Sequence, residues 1–361
     1  MVSTLLLVGF LLIFLEFGPR VVVKRLLAGT LAAGVLGSAG ALGTGVAAAD
    51  TALVVGGAKA PGIPWYWYTS MTGQRYFPDA KRQIVDYPGG MMYGRLPAVL
   101  WPGKGLDTIT VGESVVTGTK NLDRAIRSAN GPSDAIGLSE GTLVLDAEQA
   151  RLANDPTAPA PDQLSFTTFG DPAKAHGFSR SVLSGVPPGT YIPIVNYTVP
   201  KPVDSQYDTN VVVAAYDGFG DFPDRPWNLV SLANAVIGST TVHTPAAFTS
   251  PTDVPPQNIT TSTNSRGAIT TTYLVPAKHL PLTLPLRYIG VSDAKADQID
   301  DALRPIVDAG YSRNDDPSTA PISVDPVGGI DAAAYLDPTS RANLAPIVDA
   351  LRSLLPAGTL D

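Results

Sequence analysis

Ser139 sits in Gly137-Leu138-Ser139-Glu140-Gly141, the G-x-S-x-G spacing in which a nucleophilic serine stands on a sharp strand-to-helix turn. The backbone of such a turn is strained, and its flanking glycines carry no Cβ to clash where the helix packs close behind. In a chain with 35 glycines an ordinary Gly-Ser turn would satisfy the same five residues, so the neighbours must decide. A serine hydroxyl becomes nucleophilic when an imidazole takes its proton and a carboxylate fixes the tautomer of that imidazole. The chain has three histidines, His176, His243 and His279. In hydrolases of this class the acid and then the histidine follow the serine in chain order, which favours His243. His176 comes before the favoured acids, and His279, after Pro276-Ala277-Lys278 in a hairpin-like segment, is the weaker choice. Asp217, Asp221 and Asp171 are open as the acid. Asp217 ends a strand, but an Asp-Gly pair is also a common turn former. Asp221, one short loop further on, is preferred.

The elements that must hold these groups alternate. Thr51 to Val55 is a β-branched strand ending in Gly56-Gly57, and Arg82 to Tyr87 reads as a second strand stopped by Pro88-Gly89-Gly90. A helix over about 113–129 precedes the short strand Asp134-Ala135-Ile136 and the Ser139 turn, and Thr142 to Arg151 reads as the helix behind it. Strands follow at Leu164 to Phe169 and Asn210 to Tyr216, and a helix-like run at Trp227 to Val236. Near-continuous apolar strands separated by helices indicate a parallel sheet covered on both faces, with reactive groups at the carboxyl ends of the strands. An oxyanion formed at Ser139 would meet the Glu140 N–H and a second donor from the loop after the first strand, Gly57-Ala58-Lys59. Trp65, Tyr66, Trp67 and Tyr68, with Met91, Met92 and Tyr93, either line a groove for acyl chains or sugar rings or cover the core. The Pro/Ala/Thr-rich segments 155–161 and 245–263 read as loops, the second placed like a lid close after His243. Amphipathic runs at 299–307 and 342–355 read as surface helices.

At 361 residues the chain suits one enlarged domain. The absence of cysteine excludes a disulfide framework, thiol catalysis and Cys-based zinc sites, and three histidines make a His-rich metal centre improbable. No metal and no cofactor is expected. A net charge of −7, with no dense basic cluster in the soluble part, argues against a nucleic-acid partner. Residues 1–49 are set apart as a signal or anchor: an apolar run to Phe14, then Arg20, Lys24 and Arg25, then an uncharged stretch ending in Val46-Ala47-Ala48-Ala49. If it is not cleaved the stretch is long enough to span a bilayer, with the basic residues inside. Residues 50–361 are then the exported domain, tethered to the membrane or secreted.

Gly56-Gly57, Tyr87-Pro88, the serine motif, the block from Tyr216-Asp217-Gly218 to Pro226-Trp227-Asn228, Asn234 to Gly238, Val242-His243 and Leu280 to Arg287 resemble the PE-PPE C-terminal domain of mycobacteria over roughly Asp50 to Arg313. The resemblance implies a cutinase-like serine α/β-hydrolase, a three-layer sandwich with a mainly parallel central sheet. Its Ser-Asp-His triad falls here on Ser139, Asp221 or Asp217, and His243. The chain departs from the family in having an export or anchor segment where a PE or PPE helical module usually stands. In this it is similar to membrane-tethered acyltransferases that build acylated trehalose glycolipids of the cell envelope. Glu140 also departs, standing where the family usually has glutamine. The expected activity is acyl transfer on acylated trehalose through an acyl-enzyme. Hydrolysis of lipid esters and a non-catalytic lipid-binding role are the alternatives. No protein partner is indicated.

Overall fold

The computed structural model describes residues 49–59, 64–90, 109–288 and 290–316. The signal or anchor segment up to residue 48, Met91, Met92, Tyr93 and the run at 342–355 lie outside these residues. The elements are β1 (Thr51–Val55), α1 (Trp65–Met71), β2 (Lys81–Ile84), α2 (Val111–Ser128), β3 (Ser133–Leu138), α3 (Glu140–Leu152) and β4 (Leu164–Phe169). A two-residue-strand hairpin, β5 (Tyr191–Ile192) and β6 (Tyr197–Thr198), precedes β7 (Thr209–Ala214), α4 (Leu229–Thr241), β8 (Ile259–Thr263), β9 (Ile269–Val275), α5 (Leu284–Tyr288) and α6 (Asp293–Asp308).

Seven strands form one sheet in the order β2-β1-β3-β4-β7-β9-β8, parallel throughout except for β8 against β9. The central strands β3, β4 and β7 are buried along their whole length, as a sheet covered on both faces requires. Alternate residues of β1 point to opposite layers. Leu53 and Val55 join Leu122 and Ile126 of α2 and Val144 and Leu145 of α3, while Ala52 and Val54 share the other core with Leu284 and Val307. The result is the three-layer α/β-hydrolase sandwich with a mainly parallel sheet. Strand order reverses between β1 and β3, so the crevice where an open α/β sheet binds its ligand opens at the carboxyl ends of those two strands. Gly56-Gly57 and Ser139 are the residues found there.

The helix ahead of β3 starts where its side chains allow. Thr110 and Glu113 form a reciprocal capping box that satisfies two N–H groups of the first turn. Three expectations differ from the structure. The strand read over 82–87 spans Lys81–Ile84, because after the Val85 N–H bonds the Val54 carbonyl the chain leaves the ladder towards Pro88. The segment 245–263 is not a free loop or lid. Pro245, Ala246 and Ala247 are buried, and residues 259–263 form the antiparallel edge strand β8, whose Thr/Ser side chains suit a solvent-facing edge. The hairpin placed near His279 is β8–β9, which ends four residues earlier at Val275.

Asp134 on β3 is fully buried, accepts a hydrogen bond from the Ser165 hydroxyl at 2.6 Å, and has its pKa raised by burial to about 7. Because the folded value lies above the usual 3.8, the folded chain holds this proton more tightly than the unfolded one. Its stabilising contribution is complete below the unfolded value and is lost as pH rises through the folded one, by up to about 1.4 kcal/mol per unit between the two. Urea unfolding at several pH values between 4 and 8 should therefore show stability declining upwards, with a shallower slope for Asp134→Asn. An unchanged slope in that variant would remove Asp134 as the cause.

Candidate active site

Ser139 has φ 54° and ψ −120°, a left-handed backbone that a non-glycine residue adopts only when its surroundings impose it. They do so here. A Cβ on Gly141 would stand 2.3 Å from the Val55 carbonyl oxygen, so only glycine lets α3 start this close to β1. The Ser139 N–H donates to the Phe169 carbonyl at 2.9 Å, which fastens the elbow to the end of β4.

His243 reaches the same strand end from the other side. Its ring lies against Gly170, the residue after Phe169. A Cβ there would come within 2.6 Å of Cε1 and Nδ1, and the Phe219 ring packs at 4.8 Å. Nδ1 stands 2.7 Å from Oδ2 of Asp217, whose other oxygen accepts the Phe219 N–H at 2.9 Å. A carboxylate in this position holds the proton on Nδ1 and leaves Nε2 as the basic nitrogen. Nε2 has no hydrogen-bond partner among the described residues, although His243 is 5 % exposed.

Asp217, and not the preferred Asp221, is the carboxylate beside His243. Asp221 accepts two hydrogen bonds from Arg313, Nη1 to Oδ1 at 2.5 Å and Nη2 to Oδ2 at 2.8 Å. It also accepts the Tyr216 N–H at 2.7 Å and the Ser179 hydroxyl. No oxygen of Asp221 is turned to His243. Its contacts hold a turn instead. Tyr216 has φ 67°, and the Asp221 N–H donates back to the Asp217 carbonyl at 2.7 Å, so Asp221 braces the loop that presents Asp217. Sequence distance hid this role, because Arg313 arrives from a turn 92 residues downstream.

The remaining candidates separate cleanly. Asp171 accepts the Ala173 and Lys174 N–H groups in the turn after β4. His176 has Nε2 2.8 Å from the Gly220 carbonyl, and burial pushes its pKa down, which keeps it neutral. His279 lies beside Arg287 and Asp297. On the oxyanion side, Glu140 is the first residue of α3, where N–H groups have no acceptor within the helix. A Cβ on Gly57 would be 3.3 Å from that of Ser139, so the Gly57-Ala58 loop does border the elbow. The aromatic cluster divides. Trp65 and Tyr68 are buried, with the Trp65 indole N–H on the Gly57 carbonyl at 2.7 Å, whereas Tyr66 and Trp67 are more than half exposed. Gly170 and Phe219, which seat the imidazole, had no signal in the sequence beyond an ordinary strand exit and an Asp-Gly turn.

The pattern of the PE-PPE domain matches residues 78–312, a span that contains Ser139, Asp217 and His243. The chain belongs to the PE-PPE family. This PE-PPE chain is 56% identical over 335 residues to the diacyltrehalose acyltransferase Chp2 of Mycobacterium tuberculosis (strain ATCC 25618 / H37Rv), covering 85% of itself and 93% of that protein. It is 45% identical over 324 residues to the SL1278 acyltransferase Chp1 of the same strain, covering 86% of itself and 76% of Chp1. A third PE-PPE relative from that strain, the esterase PE16, is 32% identical over 289 residues, 77% of this chain and 52% of PE16.

Proposed function

We propose that the protein transfers acyl groups between acylated trehalose glycolipids through an acyl-enzyme on Ser139. The observation that carries this reading is the convergence on the end of β4 of a strained serine and a carboxylate-oriented histidine, the first held by Phe169 and the second by Gly170. The likeness to Chp2 and Chp1 supports the substrate class.

The steps follow from the atoms. Ser139 Oγ attacks the carbonyl carbon of the donor ester while His243 Nε2 takes the hydroxyl proton, and Asp217 stabilises the imidazolium. The carbonyl oxygen becomes an oxyanion facing the Glu140 N–H and the Gly57-Ala58 loop. The intermediate collapses, the C–O bond to the sugar breaks, and His243 returns its proton to the departing sugar oxygen. A hydroxyl of a second acylated trehalose then attacks the acyl-serine, losing its proton to His243, and Ser139 recovers that proton as the new ester leaves. Water in place of the sugar would give an esterase, a reading that the likeness to PE16 favours. Transfer needs an acceptor held close enough to outcompete water. Tyr66 and Trp67, more than half exposed on α1, are the aromatic side chains we assign to contact with such an acceptor.

Among the described residues no helix is long and apolar enough to cross a membrane, and the candidate export signal or anchor is the segment 1–49. With that segment as an export signal or anchor, residues 50–361 work outside the cytoplasm at a lipid surface.

Incubating the full-length protein in detergent with a diacyl trehalose and following products by mass spectrometry tests the proposal. More highly acylated trehalose should appear together with trehalose of lower acylation. Free fatty acid alone at every acceptor concentration would leave an esterase.

A further inference from the structure

Glu140 carries a second group besides its N–H. Its carboxyl is buried, 5 % exposed, and Oε1 accepts the Gly90 N–H at 2.9 Å. The carbonyl of that same Gly89–Gly90 peptide unit accepts the Lys59 N–H at 3.0 Å. One peptide plane therefore joins the residue after the nucleophile to the loop that begins at Gly57. These are the two halves of the oxyanion site. The peptide is built for this place: Gly89 has φ +60°, and a Cβ on Gly90 would stand 2.2 Å from the Thr110 carbonyl oxygen. The Ser114 hydroxyl shares the Gly90 N–H, which ties the start of α2 into the same junction.

We propose that the Glu140 side chain is a positioning group for the oxyanion site, holding its two donor segments in register through the Gly89–Gly90 peptide. The proposal rests on the acyl-enzyme reading of Ser139. The electrostatic surroundings favour the uncharged form. Burial raises the carboxyl pKa to about 8. Around it, Tyr87 of the 85–90 stretch is buried and neutral, with its hydroxyl donating to the Gly56 carbonyl at 2.8 Å. Asp86 and Lys59 pair with each other at 2.5 Å. From α2 come the neutral Ser114 and Glu113, the latter turned to the Thr110 cap. Across Ser139 stands the Asp217–His243 pair. Among the described residues, no cation is left to neutralise an ionised Glu140. Oε2 has no partner there. An anion at this point would also oppose the negative charge that the oxyanion site exists to receive.

The test reads the rate at which a fluorophosphonate modifies Ser139 in the full-length protein between about pH 6 and 10. The wild-type rate should fall above about pH 8, approaching tenfold per unit. In Glu140→Gln, which cannot ionise, the fall should vanish, so that the ratio of the rates at pH 10 and pH 8 rises at least tenfold over wild type. Glu140→Ala should lower kcat on a short-chain nitrophenyl ester by roughly 10- to 100-fold with little change in KM. An alkaline fall retained by Glu140→Gln overturns the proposal, as does a Glu140→Ala rate within twofold of wild type. If Glu140→Ala does not fold, the Glu140→Gln ratio decides alone. Modification that persists in Ser139→Ala overturns the serine assignment and this proposal with it. Ser139-dependent modification with an unchanged Glu140→Gln profile overturns this proposal only.

Discussion

Ser139→Ala should lower turnover of a short-chain nitrophenyl ester by a thousandfold or more while leaving the unfolding transition close to that of the wild type. The size follows from losing the covalent route altogether, since the histidine, the acid and the oxyanion donors do not act independently of the nucleophile. Stability should hold because the oxygen removed is not one of the atoms that fix the elbow. The turn is set by the Ser139 N–H on the Phe169 carbonyl and by the closeness of Gly141 to Val55, both of which survive the substitution. A variant that turns over substrate normally would show that the strained serine is not the acyl carrier.

Asp217→Asn should cost about 10⁴-fold in kcat at neutral pH, because an amide facing Nδ1 permits the tautomer that leaves Nε2 protonated and unable to accept the serine proton. Asp221→Asn should act by another route. It would strip the charge partner from Arg313, which is buried, and leaving one member of a buried pair uncompensated costs about 3–5 kcal/mol. Urea unfolding and steady-state kinetics on both variants separate the cases. The first variant should be stable and inactive. The second should be unstable, with activity following the folded fraction. A stable, inactive Asp221→Asn would return the acid role to Asp221.

Much of this architecture was legible in the sequence because local rules govern it. The strands Thr51–Val55 and Leu164–Phe169 are β-branched or aromatic runs closed by glycine turns, and the elbow is a five-residue pattern whose glycines answer to steric demands nearby. Chain order sets aside His176 and leaves His243 and His279, of which the structure brings His243 to Asp217. Asp221 is preferred to Asp217 on chain position alone, because four residues separate them and what distinguishes them is non-local: a histidine 26 residues on for one and an arginine 92 residues on for the other. The edge strand β8 was hidden for a related reason. Its Thr-Ser run follows prolines and has no apolar alternation of its own, so only the ladder to β9 makes it a strand. The aromatic run at Trp65 to Tyr68 was readable as a cluster but not as a divided one, since α1 turns Trp65 and Tyr68 inward and Tyr66 and Trp67 outward.

The contact between Asp221 and Arg313 also bears on where the domain can be cut. The family pattern stops at residue 312, one position before the guanidinium that neutralises a carboxylate with no exposure to solvent. Arg225 makes a second tie just beyond, to Asp315 at 2.5 Å. The stretch by which the family is recognised is therefore shorter than the unit that satisfies its own buried charges. A truncation at residue 312 would keep Ser139, Asp217 and His243 and discard the clasp that holds the turn presenting Asp217.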